Sequence, residues 1–400
     1  MKKITQMFTA ILLIALLLFA DGSSVFAEGP SWKSWKNVKK LSVFGYENHF
    51  YALTGDGMVL TDNPDFSEVS EWKNATDIGV VNGCPVALSE SGDVLFPNTL
   101  IESCGINPEE WKNVKEIINR PYSTYNSFFA LNKDGIWSVL TDEYKKEILF
   151  DGQKLKKLKV GSGYSPSFMA ETADGSYVSE PYSEELTQWT DITDFWVADL
   201  YCGPIFVGRR TDGSTVAVSE CTFDKYNTAA EIETWRNIKD VLTTPEIGHI
   251  VALQDDGTVR YVNCEVADGG YDEHVLDFSN CTDVASIACE KSDYSDFYCI
   301  NRDGTVADCI STVLGEDIST IRNCTGVPEN IEDLSKYRVV RTCDSVLNTG
   351  IVDVINWHYN SEYVDESPYY AIALLEDGTI SELEFTNAVT ETGLQYSPPN

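Results

Sequence analysis

The chain has 400 residues, 43% of them hydrophobic, and a formal net charge of -34. A chain this acidic repels nucleic-acid phosphates, which excludes a nucleic-acid binder, while its apolar content supplies a large core. The charge is spread along the chain rather than gathered in a tail, so no disordered acidic segment is implied.

The N-terminus has the pattern of a secretion signal. Lys2 and Lys3 form a positive n-region, Ile11 to Phe19 an apolar h-region, and Val25-Phe26-Ala27 offers a cleavage site before Glu28. The apolar run is short for a membrane span, which needs about 20 residues, so no membrane insertion is expected. Residues 1–27 are therefore expected to leave, and 28–400 to form one secreted, extracellular domain. That domain carries 27 basic and 62 acidic side chains.

The first unit of the domain begins at Trp35-Lys36-Asn37-Val38. Val38, Leu41 and Val43 alternate as one face of a strand. His49 to Thr54 is a second strand and Met58 to Thr61 a third. Between them, Asp56-Gly57 fits a two-residue hairpin turn, where Gly adopts positive φ without cost. The leader returns as Trp72-Lys73-Asn74-Ala75, Trp111-Lys112-Asn113-Val114, Trp189-Thr190-Asp191-Ile192 and Trp235-Arg236-Asn237-Ile238. Phe278-Ser279-Asn280-Cys281 is a degenerate copy, and the stretch from Gln153 to Leu158 keeps the strand without the Trp. For the last unit Ile321-Arg322-Asn323-Cys324 and Ile351-Val352-Asp353-Val354 both qualify.

The hairpin half returns as Phe129 to Gly135, Val251 to Val259, Ile300 to Val306 and Ile372 to Ile380, with weaker copies at Asp174-Gly175, Asp212-Gly213 and Ser91-Gly92. Eight units result, most of them roughly 37 to 46 residues long, and one such unit cannot bury its own apolar face. Three antiparallel strands per unit predict an all-β fold, a β-propeller of seven or eight blades. Helical signals are confined to Ser183–Gln188 and Thr228–Trp235. The stretch 308–346 fits the period poorly and reads as an insertion or a degenerate repeat.

The Trp-x-Asn-Val leader and the Ala-Leu-x-x-Asp-Gly-Thr-Val core resemble the repeats of the family named after the regulator of chromosome condensation (RCC1), in its bacterial form. The resemblance covers nearly the whole domain. It implies an RCC1-like propeller, a family that usually closes with seven blades. The family's Gly-x-Asn-x-x-Gly-Gln segment after the third strand is absent here, so any binding role of that segment is not carried over. Secreted members with such short units include an inhibitor of β-lactamases, which clamps its target with aromatic loop residues on one face. That inhibitor's target does not carry over.

All eleven Cys lie after residue 27. In a secreted domain they read first as disulfides. Cys84 with Cys104, and Cys202 with Cys221, straddle the same hairpin in two units and suit strand staples. Seven more fall from Cys264 to Cys343, and the odd total leaves at least one thiol over. The scarcity of His and the lack of Cys-x-x-Cys argue against zinc, and no metal or cofactor is expected.

Of the four His, His49 and His249 occupy one repeat slot, which suits strand-end packing. No nucleophile elbow, His-Glu-x-x-His, phosphate loop or calcium loop is present. Paired carboxylates of a glycoside hydrolase remain an alternative, but nothing singles out a pair. The repeated Asp of the Asp-Gly turns are turn residues first.

The functional signal lies in the connections between the first and second strands. These hold Tyr46, Tyr122, Tyr125, Tyr164, Tyr201, Tyr294, Tyr359 and Tyr363, with Trp357 beside them. Acidic residues are interleaved: Glu47, Asp199, Glu246, Asp293, Asp296, Glu362, Asp365 and Glu366. Tyr on loops suits protein recognition, because it offers wide contact with little rotamer entropy to lose. The expected partner is an extracellular protein of basic character, with a glycan as the alternative. The five leader Trp are expected instead to cover seams between blades.

Overall fold

The computed structural model describes residues 32–44, 49–81, 83–119, 128–140, 144–161, 167–200, 202–221, 227–244, 248–263, 274–276, 278, 281, 283–289, 297–313, 337–343, 351–357, 370–383 and 385–391. Among them the strands form eight sheets, met in chain order. The first holds β1 (Val38–Phe44), β2 (His49–Thr54) and β3 (Val59–Thr61), the second β4 (Ala75–Val81), β5 (Cys84–Ser89) and β6 (Val94–Leu95). The third holds β7 (Val114–Asn119), β8 (Phe128–Asn132), β9 (Trp137–Leu140) and an outer β10 (Lys146–Ile148). The fourth is β11 (Leu155–Val160), β12 (Phe168–Thr172) and β13 (Tyr177–Glu180), the fifth β14 (Ile192–Leu200), β15 (Gly203–Arg210) and β16 (Thr215–Ser219). The sixth is β17 (Ile238–Thr244), β18 (His249–Gln254) and β19 (Val259–Asn263).

The seventh sheet is larger. After β20 (His274–Leu276) come β21 (Val284–Cys289), β22 (Phe297–Asn301), β23 (Val306–Val313) and β24 (Tyr337–Cys343). The eighth is β25 (Ile351–Trp357), β26 (Tyr370–Leu375) and β27 (Ile380–Leu383), after which β28 (Phe385–Glu391) returns to pair with β24. Strand β20 pairs with β23. Of the stretch 308–346, the end of β23 and all of β24 join this seventh sheet, and residues 314–336 lie outside the described residues.

Neighbouring first strands stand side by side, β1 by β4, β4 by β7, β14 by β17, β17 by β21 and β21 by β25, and β25 meets β1. Eight hydrophobic clusters fill the eight seams. Tyr51 and Leu53 meet Ile78 and Val80 between the first two sheets, and Ile372 and Leu374 meet Trp35 and Phe50 between the eighth and the first. The ring is thus closed, and the protein is a β-propeller of eight blades among the described residues. Its first and last blades are each built from one continuous stretch, so neither is shared.

The leader Trp cover seams, as their spacing predicts. Trp35, Trp111, Trp189 and Trp235 are buried in four seam clusters, and Trp72 packs half-buried against a fifth. In the seventh blade the leader is shifted three residues from the expected Phe278-Ser279-Asn280-Cys281. Cys281 stands where the other blades carry Trp, three residues before the first strand, and its N–H bonds Phe278 O as Trp35 N–H bonds Trp32 O. A disulfide to Cys299, in β22, replaces the indole as the seam filler. Of the two candidates for the last leader, Ile351 opens the strand β25, and 321–324 lies outside the described residues.

The leader Asn has a role of its own. Asn37, Asn74, Asn113, Asp191, Asn237 and Asp283 all have φ between 51° and 60°. Asn and Asp tolerate this left-handed conformation best after Gly. It turns the Asn37 carbonyl to accept the Gly55 N–H at 2.7 Å, and Asn74, Asn113, Asp191, Asn237 and Asp283 do the same in their own blades. Two residues further on, every first strand carries a bulge, as between Val38 and Lys40 or Ala75 and Asp77. The bulge sharpens the local twist that a propeller blade needs.

The Asp-Gly turn differs from the sequence expectation in one detail. Thr54 N–H bonds Met58 O and Gly57 N–H bonds Thr54 O, which encloses three residues rather than two. Gly57 has φ 81°, but Asp56 is not in the left-handed region that a two-residue type I′ turn demands. The loop is a type I turn closed by a Gly bulge, so its Asp faces the strand that follows. Asp174, Asp212, Asp256, Asp303 and Asp377 each accept the N–H of the residue two positions on.

These bonds favour the ionised form. The Thr172 and Ser176 hydroxyls hold the Asp174 carboxyl down to about 2, and Ser214, Thr258, Thr305 and Thr379 lower the other four. A carboxyl depressed in the folded state contributes stability above its unfolded value of 3.8 and loses it as pH falls through the folded value. Asp62 and Asp240 act in the opposite sense, because burial raises them. The thermal midpoint is expected to fall as pH drops below 3.8, and replacing the five turn Asp with Asn should lessen that fall. An unchanged acid limb in the fivefold variant, followed by circular dichroism, would refute the assignment.

Helices are few. The expected turns appear as a 3-10 helix at Glu185–Gln188 and a short α-helix at Thr228–Ile232. Asn98–Cys104 and Pro64–Glu71 are further helical segments that the sequence reading left out.

Candidate functional site

The two ends of the propeller are fixed by its stitching. In blade after blade, the Gly carbonyl of the Asp-Gly turn accepts the N–H that opens the next leading strand: Gly57 with Ala75, Gly92 with Val114, Gly135 with Leu155, Gly257 with Val284 and Gly378 with Val38. Turns and strand starts therefore share one end. The connections from first to second strands all leave the opposite end.

In chain order, every Tyr singled out in the sequence lies between the first and second strands of its unit. Tyr46 lies between β1 and β2, Tyr122 and Tyr125 between β7 and β8, and Tyr164 between β11 and β12. Tyr201 lies between β14 and β15, Tyr294 between β21 and β22, and Tyr359 and Tyr363 between β25 and β26. All eight are outside the described residues. Trp357 is the last residue of β25, opposite Tyr370. Glu47, Glu246, Asp293, Asp296, Glu362, Asp365 and Glu366 also lie outside the described residues.

Asp199 corrects the sequence reading. It is expected among the acids interleaved in these connections, but it is only 2% exposed and is the penultimate residue of β14, before the connection. Its carboxylate accepts the Ser167 hydroxyl at 2.9 Å.

The cysteines divide at this same end. Cys202 and Cys221 form the expected disulfide, tying the β14–β15 turn to the end of β16. Gly203 beside it has φ 127°, and a Cβ there would lie 2.6 Å from Glu220 O, so the turn is packed against the staple. Cys84 and Cys104 do not form the expected disulfide. Both pack half-buried against the seam of the second and third blades. Cys84 sits one position later in its hairpin than Cys202 does, opposite Val81, whereas Leu200 faces Gly203. Cys104 ends a helix rather than following its strand directly.

The repeated His are structural in position. His49 and His249 open β2 and β18, facing Phe44 and Thr244. The His249 ring meets Tyr261 edge-on at 5.3 Å, and His49 lies 3.5 Å from the Asp62 carboxylate. Near the propeller axis, Lys40 pairs with Asp77 and Lys157 with Asp194, each bridging two blades. Among the described residues, no group of three His, Cys, Asp or Glu is arranged to hold a metal ion. No helix among them is long and apolar enough to cross a membrane.

No family model matches the chain, and no curated protein matches it. Solved structures similar to it include Sqt1 of Saccharomyces cerevisiae, at 13% identity and a TM-score of 0.36, covering 89% of this chain and 96% of that one. The WD40 domain of SCAP from fission yeast is similar at 9% identity and a TM-score of 0.31, covering 91% and 90%. Apo AztD from Citrobacter koseri is similar at 11% identity and a TM-score of 0.34, covering 68% and 82%. The propeller rests on the sheets and seams above and not on these likenesses.

Proposed function

We propose that this chain is a secreted, non-enzymatic propeller of the RCC1-like kind, which uses its Tyr-bearing end to bind another protein, with inhibition of that partner as one outcome of binding. What supports the reading is chain order: eight Tyr, in six of the units, each lie in sequence between a first strand and its second, and the described first strands all end on the side away from the Asp-Gly turns. The two disulfides suit an oxidising compartment, in keeping with removal of residues 1–27 and export of 28–400. Within the stretch 308–346, β24 is then an added strand that widens the seventh blade. The charge of the exported chain favours a basic partner, steered to the acidic rim at low ionic strength.

The test is affinity capture from the producer's culture and surroundings with the 28–400 protein as bait. The control bait carries Tyr122, Tyr125, Tyr164 and Tyr201 changed to Ala. A protein held by the first and lost by the second supports the reading, and its retention should fall steeply with salt. Equal capture by both baits would overturn it. Binding to polysaccharide that survives moderate salt would favour glycan recognition, in which Tyr stacks on sugar rings. Turnover abolished by one acidic substitution would favour a carboxylate hydrolase.

A further inference from the structure

The fifth blade has the longest leading strand. Among the described residues β14 runs nine residues, against six or seven in the first strands of the other blades. Side chains two apart on a strand share a face. Phe195 and Val197 pack into the seam with the fourth blade, and Asp199 continues that face. A carboxylate thus stands where the pattern calls for an apolar residue, and it is buried. Burial of an ionised carboxylate is unfavourable unless hydrogen bonds offset it.

The neighbouring blade supplies the offset. Ser167, at the end of the β11–β12 connection, donates its hydroxyl to Asp199 Oδ1 at 2.9 Å. The Ser167 carbonyl accepts the N–H of Gly161, at the start of the same connection, at 2.8 Å. Gly161 has no need of positive φ; its requirement is space. A Cβ there would lie 2.4 Å from Asp199 Cβ and 2.8 Å from Asp199 Oδ2. Three residues from two blades therefore interlock. Asp199 abuts the foot of the connection at Gly161 and is bonded to it at Ser167.

We propose that Asp199 is a positioning residue: its buried carboxylate holds Gly161 and Ser167, the two feet of the neighbouring blade's β11–β12 connection, in place against each other. The inference rests on the proposed binding role of this end only for its purpose, not for its geometry. Asp199 is then no part of the acidic rim that meets a partner, although its sequence neighbourhood suggests it.

The test is hydrogen–deuterium exchange on the intact 28–400 protein, with no partner present, so its outcome is independent of whether the Tyr-bearing end binds protein. Asp199→Leu and Ser167→Ala should each speed exchange of peptides spanning residues 161–168 about tenfold, with peptides of distant blades unaffected. Asp199→Asn keeps an oxygen acceptor for Ser167 and should stay within about threefold of the native rate. That rescue separates the hydrogen bond from mere space filling. Unchanged exchange at 161–168 in both Ser167→Ala and Asp199→Leu would overturn the proposal, as would an equal rise around the whole ring. If Asp199→Leu does not fold, Ser167→Ala decides alone, because it leaves the carboxylate in its place.

Discussion

Replacing Trp111 with Ala should lower the stability of the propeller by about 3 to 5 kcal/mol, the range for removing a large buried aromatic side chain. Trp111 is 2% exposed in the seam between the second and third blades. Its ring lies 5.6 Å from Phe128 and 6.0 Å from Phe96, and the Lys146 ammonium sits 5.0 Å from its centroid. Burial lowers the Lys146 pKa, so that amine relies on the indole face and on the Glu110 carbonyl. Removing the indole opens a cavity against two aromatic rings and takes away the surface on which the cation rests. Trp72 occupies the same repeat slot but is only half-buried. Trp72→Ala should cost about half as much. Denaturant midpoints of the two variants check this, and equal losses would mean that burial at the seam does not set the contribution of the leader Trp.

Much of this architecture is legible in the sequence because it repeats. Strand alternation, the Asp-Gly turn and the leader Trp recur at one period, and each recurrence corrects noise in the others. The Tyr of the first-to-second connections are located by the same period, without any knowledge of where the strands pack. What escapes is of two kinds. The left-handed Asn of the leader was visible as a letter but not as a conformation, although Asn or Asp directly before the strand is the composition such a position selects. The seventh leader was misaligned because Cys281 substitutes for Trp and solves the seam covalently rather than by volume. The other kind is non-local. The burial of Asp199 depends on Gly161, 38 residues earlier and in another blade, and no periodicity within β14 announces it. The same holds for Cys84 and Cys104, whose spacing is one residue longer than that of Cys202 and Cys221, and an intervening helix changes where the second thiol stands.

Gly378→Ala should lower stability markedly, because it acts on the closure of the ring. The eighth blade is joined to the first by the Val38 N–H bond to Gly378 O, at 2.9 Å. Gly378 has φ 75°, and a Cβ there would lie 2.8 Å from both Asn37 Cα and Val38 N. Gly175 is the equivalent turn residue of the fourth blade, with φ 87° and nothing within 4 Å of its Cβ position. Both substitutions incur the left-handed penalty, about 1 to 2 kcal/mol. Only Gly378→Ala also forces backbone apart, adding about 1 to 3 kcal/mol as overpacking does. Gly92→Ala makes the internal comparison, since its Cβ would lie 2.8 Å from Val114 O at the seam of the second and third blades. In a ring whose closing seam is built like the others, Gly378→Ala and Gly92→Ala lose similar stability and Gly175→Ala clearly less. A Gly378→Ala midpoint matching that of Gly175→Ala would mean that the eighth and first blades can part without loss, and that the ring is held by its internal seams alone.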